Sequence, residues 1–239
     1  MLWPGRCLPL VALLLSPVAL AQDRLVDLEL LLAVDTSASI DAVEFAQQRD
    51  GLAMAFRDPA VVAAIEAVEG GIAVAVLQWG HDFQQRMATT WMAVSDRGSA
   101  ERFARAVETS PRHFVGNGTA ISWAMRYGAR QFPDNGFRGR RRTIDISADG
   151  RNNSGTSPER VRDELVAEGI TINALAIKNG DLALDGYFET QVIGGRNAFV
   201  IATTGFDDYA RAIRLKLLRE ILVPVAQGPA DEAARGPQS

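Results

Sequence analysis

The stretch "AVDTSAS", residues 33–39, joins an apolar segment to a cluster of small polar side chains. The preceding run, Leu28–Val34, is nearly all apolar, which is typical of a strand that is buried on both faces of a sheet. It ends abruptly in Asp35, and Ser37 and Ser39 follow at alternate positions. Two roles fit this polar cluster: it caps the next helix, or it supplies hard oxygen ligands to a cation.

Apolar runs and amphipathic stretches alternate along most of the chain. The strand-like runs are Val26–Val34, Gly71–Trp79, Arg142–Ser147, Ile170–Ile177 and Ala198–Ile201. The helical patterns are Asp41–Arg57, Ala60–Val68, Ser99–Val107, Thr119–Phe132, Pro158–Glu168 and Phe206–Leu222. This alternation predicts an α/β fold with a doubly wound, mostly parallel central sheet and helices on both faces. The more polar segment Gln84–Val94 is expected to add one antiparallel edge strand.

The first 21 residues have the composition of a secretory signal peptide. One positive charge, Arg6, precedes the apolar run Leu8–Leu20, and the segment ends in "ALA", residues 19–21, with small residues at the cleavage-site positions. The apolar run is too short to span a bilayer comfortably, which disfavours a retained anchor. We therefore expect a periplasmic or secreted protein.

The remainder of the chain is expected to form one domain. Residues 22–223 contain all the predicted strands and helices, whereas residues 224–239 are rich in Ala, Gly, Pro and Gln without any period. We interpret that last segment as a disordered tail. The only cysteine, Cys7, lies within the predicted signal peptide, so an exported domain would rely on its hydrophobic core and not on disulfides.

The charge of the chain excludes some classes of partner. It has 25 basic and 29 acidic residues, a net charge of −4, and loss of Arg6 would make this −5. A mildly acidic balance disfavours nucleic-acid binding, which favours a basic face. No segment after residue 21 is long and apolar enough to cross a membrane.

Two further loops offer oxygen atoms like those that follow the first strand. "GNGTAIS", residues 116–122, places Thr119 at the entrance of a helix, and "DISADGRNNSG", residues 145–155, ends a strand at Asp149. Loops at the carboxyl ends of parallel strands can meet at one edge of the sheet. The expected set is two carboxylates and three hydroxyls: Asp35, Ser37, Ser39, Thr119 and Asp149. Such oxygen-only sets suit hard divalent cations, above all Mg²⁺, with Mn²⁺ or Ca²⁺ as alternatives.

These three loops together resemble the metal-ion-dependent adhesion site (MIDAS) of von Willebrand factor A (vWA) domains. The resemblance consists of Asp-x-Ser-x-Ser after the first strand, Gly-Thr at a helix entrance and Asp-Gly after a later strand. The similarity in element order covers residues 26–222. Three shorter stretches, "DISADGRNN", "GITINALAI" and "IRLKLLREI", are similar to a group of secreted bacterial proteins with this fold and no assigned function.

This resemblance implies a role for each of the five residues. Ser37, Ser39 and Thr119 would offer hydroxyls to the cation, and Asp35 and Asp149 would bind it directly or through water. Domains of this kind leave one coordination position open, which a carboxylate from a protein partner completes. The resemblance therefore implies a binding module that engages an Asp or Glu of a protein ligand, and not an enzyme.

Two other functions are open at this point: a hydrolase whose cation activates water, and a scaffold whose cation is purely structural. A hydrolase needs a general base near the open position, and only His81, His113 and Asp145 are candidates. The sequence contains no G-x-S-x-G nucleophile motif. Both histidines fall in predicted loops, and His113 is expected to be an exposed loop residue.

Asp145 interrupts a strand that should be apolar throughout. Because a buried, unpaired carboxylate costs several kcal/mol, we expect it to have a partner. The partner is either a hydroxyl or water of the cation site, or an arginine or tryptophan elsewhere. The loop Arg151–Asn153 is expected to lie exposed near the cation, with its asparagines making turn hydrogen bonds. The basic run Arg138–Arg142 is interpreted as a solvated loop at the amino edge of the sheet.

The signal-peptide interpretation predicts that the mature protein begins near Gln22. Mass spectrometry of the native protein should therefore show cleavage after Ala21 and recovery in a soluble fraction. An intact Met1 in a membrane fraction would contradict this prediction and would indicate a retained anchor.

Overall fold

A computed structural model of the protein describes residues 22–222, so the predicted signal peptide and C-terminal tail lie outside the described residues. The strands are β1 (Arg24–Asp35), β2 (Ile72–Trp79), β3 (Gln85–Met87), β4 (Met92–Val94), β5 (Phe137–Ala148), β6 (Ile170–Ile177) and β7 (Val200–Thr203). The helices are α1 (Ala42–Arg57), α2 (Pro59–Ala67), α3 (Arg97–Glu108), α4 (Ile121–Ala129), α5 (Pro158–Ala167), α6 (Leu184–Gln191) and α7 (Tyr209–Leu222), the last preceded by a short 3-10 helix (Phe206–Asp208). No helix in residues 22–222 combines the length and the apolarity that crossing a membrane requires.

The strands form a single sheet in the order β3-β2-β1-β5-β6-β7, with β4 also paired to β2. The five long strands are parallel, and β3 and β4 run antiparallel to β2. The predicted doubly wound α/β fold is therefore confirmed. The predicted edge strand Gln84–Val94 is present as two short pieces. Between them the Thr89 hydroxyl, instead of a carbonyl, accepts the hydrogen bond of the Val76 N–H at 2.9 Å.

Strand β1 lies at the centre of the sheet and packs against both layers of helices. Leu30 and Leu32 belong to the hydrophobic cluster formed with α1, α2, α3 and α7, whereas Leu31 and Ala33 belong to the cluster formed with α4, α5 and α6. Each fully buried leucine contributes about 1.5–3 kcal/mol to the stability of the fold. This double-sided burial explains the nearly continuous apolar run. The strand ends at Asp35, which is therefore also buried.

Strand β5 begins five residues earlier than predicted, at Phe137 instead of Arg142. The basic run 138–142 therefore lies in the strand, and its interpretation as a loop was wrong. Acidic side chains of β1 form the ion pair and accept the hydrogen bond that this part of β5 offers. Arg141 forms an ion pair with Asp27 at 2.5 Å, and the N–H of Gly139 donates to the Glu29 carboxylate at 2.6 Å. This part of β5 has no apolar run because its side chains and backbone contact acidic groups of β1.

The partner of Asp145 is a lysine of α7. Lys216 Nζ lies 3.1 Å from Asp145 and 2.8 Å from Glu220, and all three side chains are almost fully buried. Asn173 Nδ2 donates to both carboxylate oxygens of Glu220 at 2.9 Å. Burial raises the pKa of Asp145 to about 7, although the Lys216 charge opposes this shift. Asp145 therefore has the expected structural ion pair, but its partner is a lysine and not the predicted arginine or tryptophan. A carboxylate covered by α7 also cannot serve as a general base at the edge of the sheet.

Lys216→Met should lower the free energy of unfolding by about 3–5 kcal/mol, because it leaves two buried carboxylates without a compensating charge. The triple variant Lys216→Met, Asp145→Asn, Glu220→Gln should recover much of this loss, since it leaves no uncompensated charge. Urea unfolding followed by circular dichroism measures both. A single variant as stable as the wild type would show that Lys216 does not hold α7 on the sheet.

Candidate metal centre

Asp35 ends β1 in a fully buried position at the carboxyl edge of the sheet. One of its oxygens, Oδ1, accepts a hydrogen bond from the Ser37 N–H at 2.7 Å. The other, Oδ2, is buried and has no hydrogen-bond partner within residues 22–222. A buried carboxylate oxygen without a partner carries a desolvation penalty, which a bound cation would remove.

A chain of hydroxyl groups connects the loop after β1 to the loop after β5. The Oγ atoms of Ser37 and Ser39 lie 3.2 Å apart, and Ser39 Oγ donates to Asp149 Oδ1 at 2.9 Å. Ser39 therefore does not cap α1. That role belongs to Asp41, whose carboxylate accepts from the N–H groups of Val43 and Glu44 at 2.7 and 2.9 Å. The capping alternative is thus excluded for Ser39.

Thr119 is held beside the same edge by the loop that follows Asp149. Its N–H donates to Asn153 Oδ1 at 2.8 Å, and its carbonyl accepts from the Asn153 N–H at 3.0 Å. The preceding residue, Gly118, has φ +118°, and a Cβ there would lie 2.3 Å from the His81 ring. Only glycine fits this position. The Thr119 hydroxyl lies next to Gly150, the residue after Asp149, since a Cβ added at Gly150 would lie 3.7 Å from Thr119 Oγ1. All five predicted residues therefore converge at one edge.

The electrostatics of the centre favour a positive charge between the two carboxylates. Burial raises the pKa of Asp35 to about 7; the Ser37 N–H opposes the shift, and the Asp149 charge adds to it. Burial also raises the pKa of Asp149, where the Ser39 hydroxyl opposes the shift and the Glu44 charge reinforces it. Two buried acids that repel each other bind protons more tightly, and a divalent cation is the other species that would neutralise them.

The ligand chemistry narrows the choice of cation. Within residues 22–222, no three or more His, Cys, Asp and Glu side chains cluster closely enough to hold a metal ion. A cation at this edge must therefore use hydroxyl oxygens in addition to carboxylates. Serine and threonine hydroxyls beside two aspartates are ligands that a hard cation such as Mg²⁺ prefers, so these residues fit the predicted cation.

Arg112 holds the first loop in place, a role that no motif in the sequence indicates. Its Nη2 donates to the carbonyls of Thr36, Ser37 and Ile40 at 3.0, 3.0 and 2.7 Å. The arginine lies in an irregular segment between α3 and α4, and no motif connects that segment to the loop after β1. Asn153 was expected to make turn hydrogen bonds, and it also positions Thr119.

The two histidines differ in their relation to this centre. The His81 ring packs against Gly118, next to Thr119, and the side chain is only partly exposed. His113 is also partly buried. Burial lowers the pKa of its imidazole, and the nearby Arg86 charge lowers it further. Both histidines lie in loops as predicted, but His113 is less exposed than expected.

A family model described as "Protein of unknown function (DUF1194)" matches residues 25–225 of the chain. No curated protein matches the sequence. Among solved structures, the chain is similar to proximal thread matrix protein 1 (PTMP1) from the mussel byssus, with a TM-score of 0.61, 17% identity and coverage of 84% of this chain and 49% of that chain. Another PTMP1 structure has a zinc-occupied MIDAS motif, and it matches with a TM-score of 0.56 and 19% identity over 83% of this chain and 46% of that one.

Two bacterial structures show the same fold. A von Willebrand factor type A protein from Catenulispora acidiphila matches with a TM-score of 0.57 and 15% identity, over 82% of this chain and 43% of that chain. The vWF domain of the type V pili tip protein Mfa5 from Porphyromonas gingivalis matches with a TM-score of 0.56 and 11% identity, over 84% and 98%. The predicted vWA fold is confirmed, and the chain spans about half the length of PTMP1.

Asp35→Asn should not destabilise the protein in the presence of a chelator, because it removes a buried charge that has one unpartnered oxygen and faces Asp149. Saturating Mg²⁺ or Mn²⁺ should stabilise only the wild type, by about 2.7 kcal/mol at one hundred times the dissociation constant. Thermal melting of both proteins in each condition measures this.

Asp27→Asn is the matched control, since Asp27 is also buried in β1 but is paired with Arg141. This variant should melt lower than the wild type in both conditions and should keep the stabilisation by cation. If Asp35→Asn melts as low as Asp27→Asn in chelator, Asp35 belongs to the structural core and not to a metal centre.

Proposed function

The chain belongs to the family described as "Protein of unknown function (DUF1194)", and we propose that it is a binding module that engages a protein partner through a divalent cation. The observation that carries this proposal is the buried Oδ2 of Asp35, which has no hydrogen-bond partner among residues 22–222 and belongs to the same cluster as Asp149 and a chain of hydroxyls. The cation would be Mg²⁺, or Mn²⁺ or Ca²⁺, because all the converging ligands are oxygens.

Each residue has a distinct task in this function. Asp35 and Asp149 supply the negative charge that attracts the cation, and Ser37, Ser39 and Thr119 supply neutral oxygens. When bound, the cation would offer an open, electron-poor position to a carboxylate of the partner. Arg112 and Asn153 hold the loops, so the ligand set is largely formed before binding and less ordering entropy is lost on association.

The structural comparisons support this proposal through the fold. The fold carries a zinc-occupied MIDAS motif in PTMP1, and it forms the vWF domain of a pili tip protein. We propose the same use of the carboxyl edge here, in a non-enzymatic protein. The predicted signal peptide supports a periplasmic or secreted location, where such a module would meet extracellular or envelope proteins.

The proposal predicts capture of a protein partner that depends on both the cation and Asp35. Immobilised wild-type protein should retain a partner from an extract of the same compartment in Mg²⁺ and release it in chelator. Asp35→Ala should lose this capture, because one of the two charged ligands is missing. Quantitative mass spectrometry of the eluates measures the difference, and Asp50→Ala, an exposed acid of α1, is the control that should capture normally.

Calorimetric titration with Mn²⁺ distinguishes the absence of the metal centre from a metal centre that does not bind the partner. The wild type should bind one ion, and the double variant Asp35→Ala, Asp149→Ala should bind none. Unchanged Mn²⁺ binding by the double variant would exclude this metal centre. Normal capture by Asp35→Ala, despite its loss of Mn²⁺, would show that the centre is not the binding surface and would favour a purely structural cation.

A further inference from the structure

The loops around the candidate metal centre are joined into a continuous rim. We call the residues 36–44, 80–84, 112–118, 150–155 and 178–183 the rim loops. The Ala38 N–H donates to the Gly116 carbonyl at 2.9 Å, and Ser154 Oγ donates to Asp82 at 2.8 Å. Further around the rim, Arg151 donates to Asp181 at 2.6 Å and Asn179 donates to Glu44 at 2.8 Å. These contacts fix the rim loops relative to one another.

The rim loops expose large apolar side chains to solvent. Phe83 is 81% exposed, Leu182 80%, Val115 73% and Val43 66%. Each belongs to a different rim loop, so the apolar groups are distributed around the metal centre. Four of the eight large, exposed apolar side chains of residues 22–222 are therefore located at this one edge. Exposed apolar groups that cluster with a binding site are typical of interaction surfaces.

Phe83 is held in a backbone conformation that is unfavourable for a bulky residue. Its φ is +63°, in the left-handed region where Gly, Asn and Asp are found most often. The ring touches Trp123, with centroids 5.0 Å apart, but this contact leaves most of the side chain in water. The phenylalanine thus adds strain and gains little burial, which points to a contact made outside the fold.

Three acidic side chains of the rim loops each accept a hydrogen bond from a neighbouring rim loop. Asp82 accepts from Ser154, Asp181 accepts from Arg151, and Glu44 accepts from Asn179. Their hydrogen-bonding capacity is partly used within the rim, whereas Phe83, Val115 and Leu182 are each more than 70% exposed. The rim loops carry four acidic side chains and three basic ones, so their charges give a ligand with many acidic residues no net attraction.

We infer that the partner presents a single Asp or Glu with large apolar side chains on both sides, the carboxylate meeting the metal centre and the apolar groups meeting Phe83, Val115 and Leu182. This inference rests on the proposed function, and it adds the chemistry that distinguishes one carboxylate from another. A surface carboxylate with polar neighbours would gain the contact with the cation but none of the apolar contacts.

Three synthetic peptides test the inference, all measured against the full protein in Mn²⁺ by biolayer interferometry. One has a central Glu flanked by Leu and Phe, one has the same Glu flanked by Ser and Asn, and one has the Glu flanked by further Glu residues. The apolar-flanked peptide should bind about tenfold more tightly than the polar-flanked one, as expected from burial of roughly 60 Å² of apolar surface. The acidic peptide should bind most weakly.

The rim variant Phe83→Ser, Val115→Ser, Leu182→Ser should lose the preference for apolar flanks and still bind Mn²⁺ as the wild type does. The matched control is Leu25→Ser, Met54→Ser, Leu222→Ser, which removes three other exposed apolar groups, 56–70% exposed, outside the rim loops and should keep the preference. In addition, Phe83→Asn should melt at the wild-type temperature or above it while it weakens the apolar-flanked peptide.

The outcomes distinguish the inference from the function on which it rests. Equal cation-dependent binding of the apolar-flanked and polar-flanked peptides would overturn the inference and leave the proposed function intact. Binding that persists unchanged in chelator, or no binding of any peptide, would overturn both. A concentration-dependent dimer of the wild type that the rim variant abolishes would overturn the inference in favour of a second copy of the chain.

Discussion

The desolvation of one carboxylate, at the end of the central strand, is the constraint around which this molecule is arranged. The two helix layers exclude water from both faces of β1, and Asp35 continues the strand into the same dry environment. An ionised group there loses its hydration, and only one of its oxygens regains a hydrogen bond within the described residues. The packing that stabilises the strand therefore also imposes a desolvation penalty on Asp35, which a bound cation would offset.

Much of the fold could be predicted because buried parallel strands have a local signature. Ile170–Ile177 coincides with β6, and the polar residues that end β1 and β5 lie at the edge where parallel strands place their loops. The five candidate ligands could be proposed for the same reason: Asp35 and Asp149 follow strands, Ser37 and Ser39 follow Asp35 at alternate positions, and Thr119 lies just before a helix. Such features are set by neighbours in sequence.

The features that could not be predicted depend on residues that are distant in sequence. Residues 138–142 of β5 include four arginines, and in this part of the strand Gly139 and Arg141 pair with charged residues of β1 about 110 positions earlier. Helix α6 buries only Leu184 and Phe188, which is too few for a recognisable period. Arg112, Asn153 and Lys216 likewise act on segments that no spacing rule connects to them. Their roles follow from the tertiary arrangement alone.

The hydrogen bond between Ser39 and Asp149 spans 110 residues, and this separation has a consequence for folding kinetics. Strand β1 pairs with β5 across a similar distance, for example Leu30 with Thr143. Contacts of such high order form slowly, because a long loop must close before they are gained. A cation site that includes Asp35, Ser39 and Asp149 would therefore require β1 and β5 to be paired, and cation binding would report that this central pairing has formed.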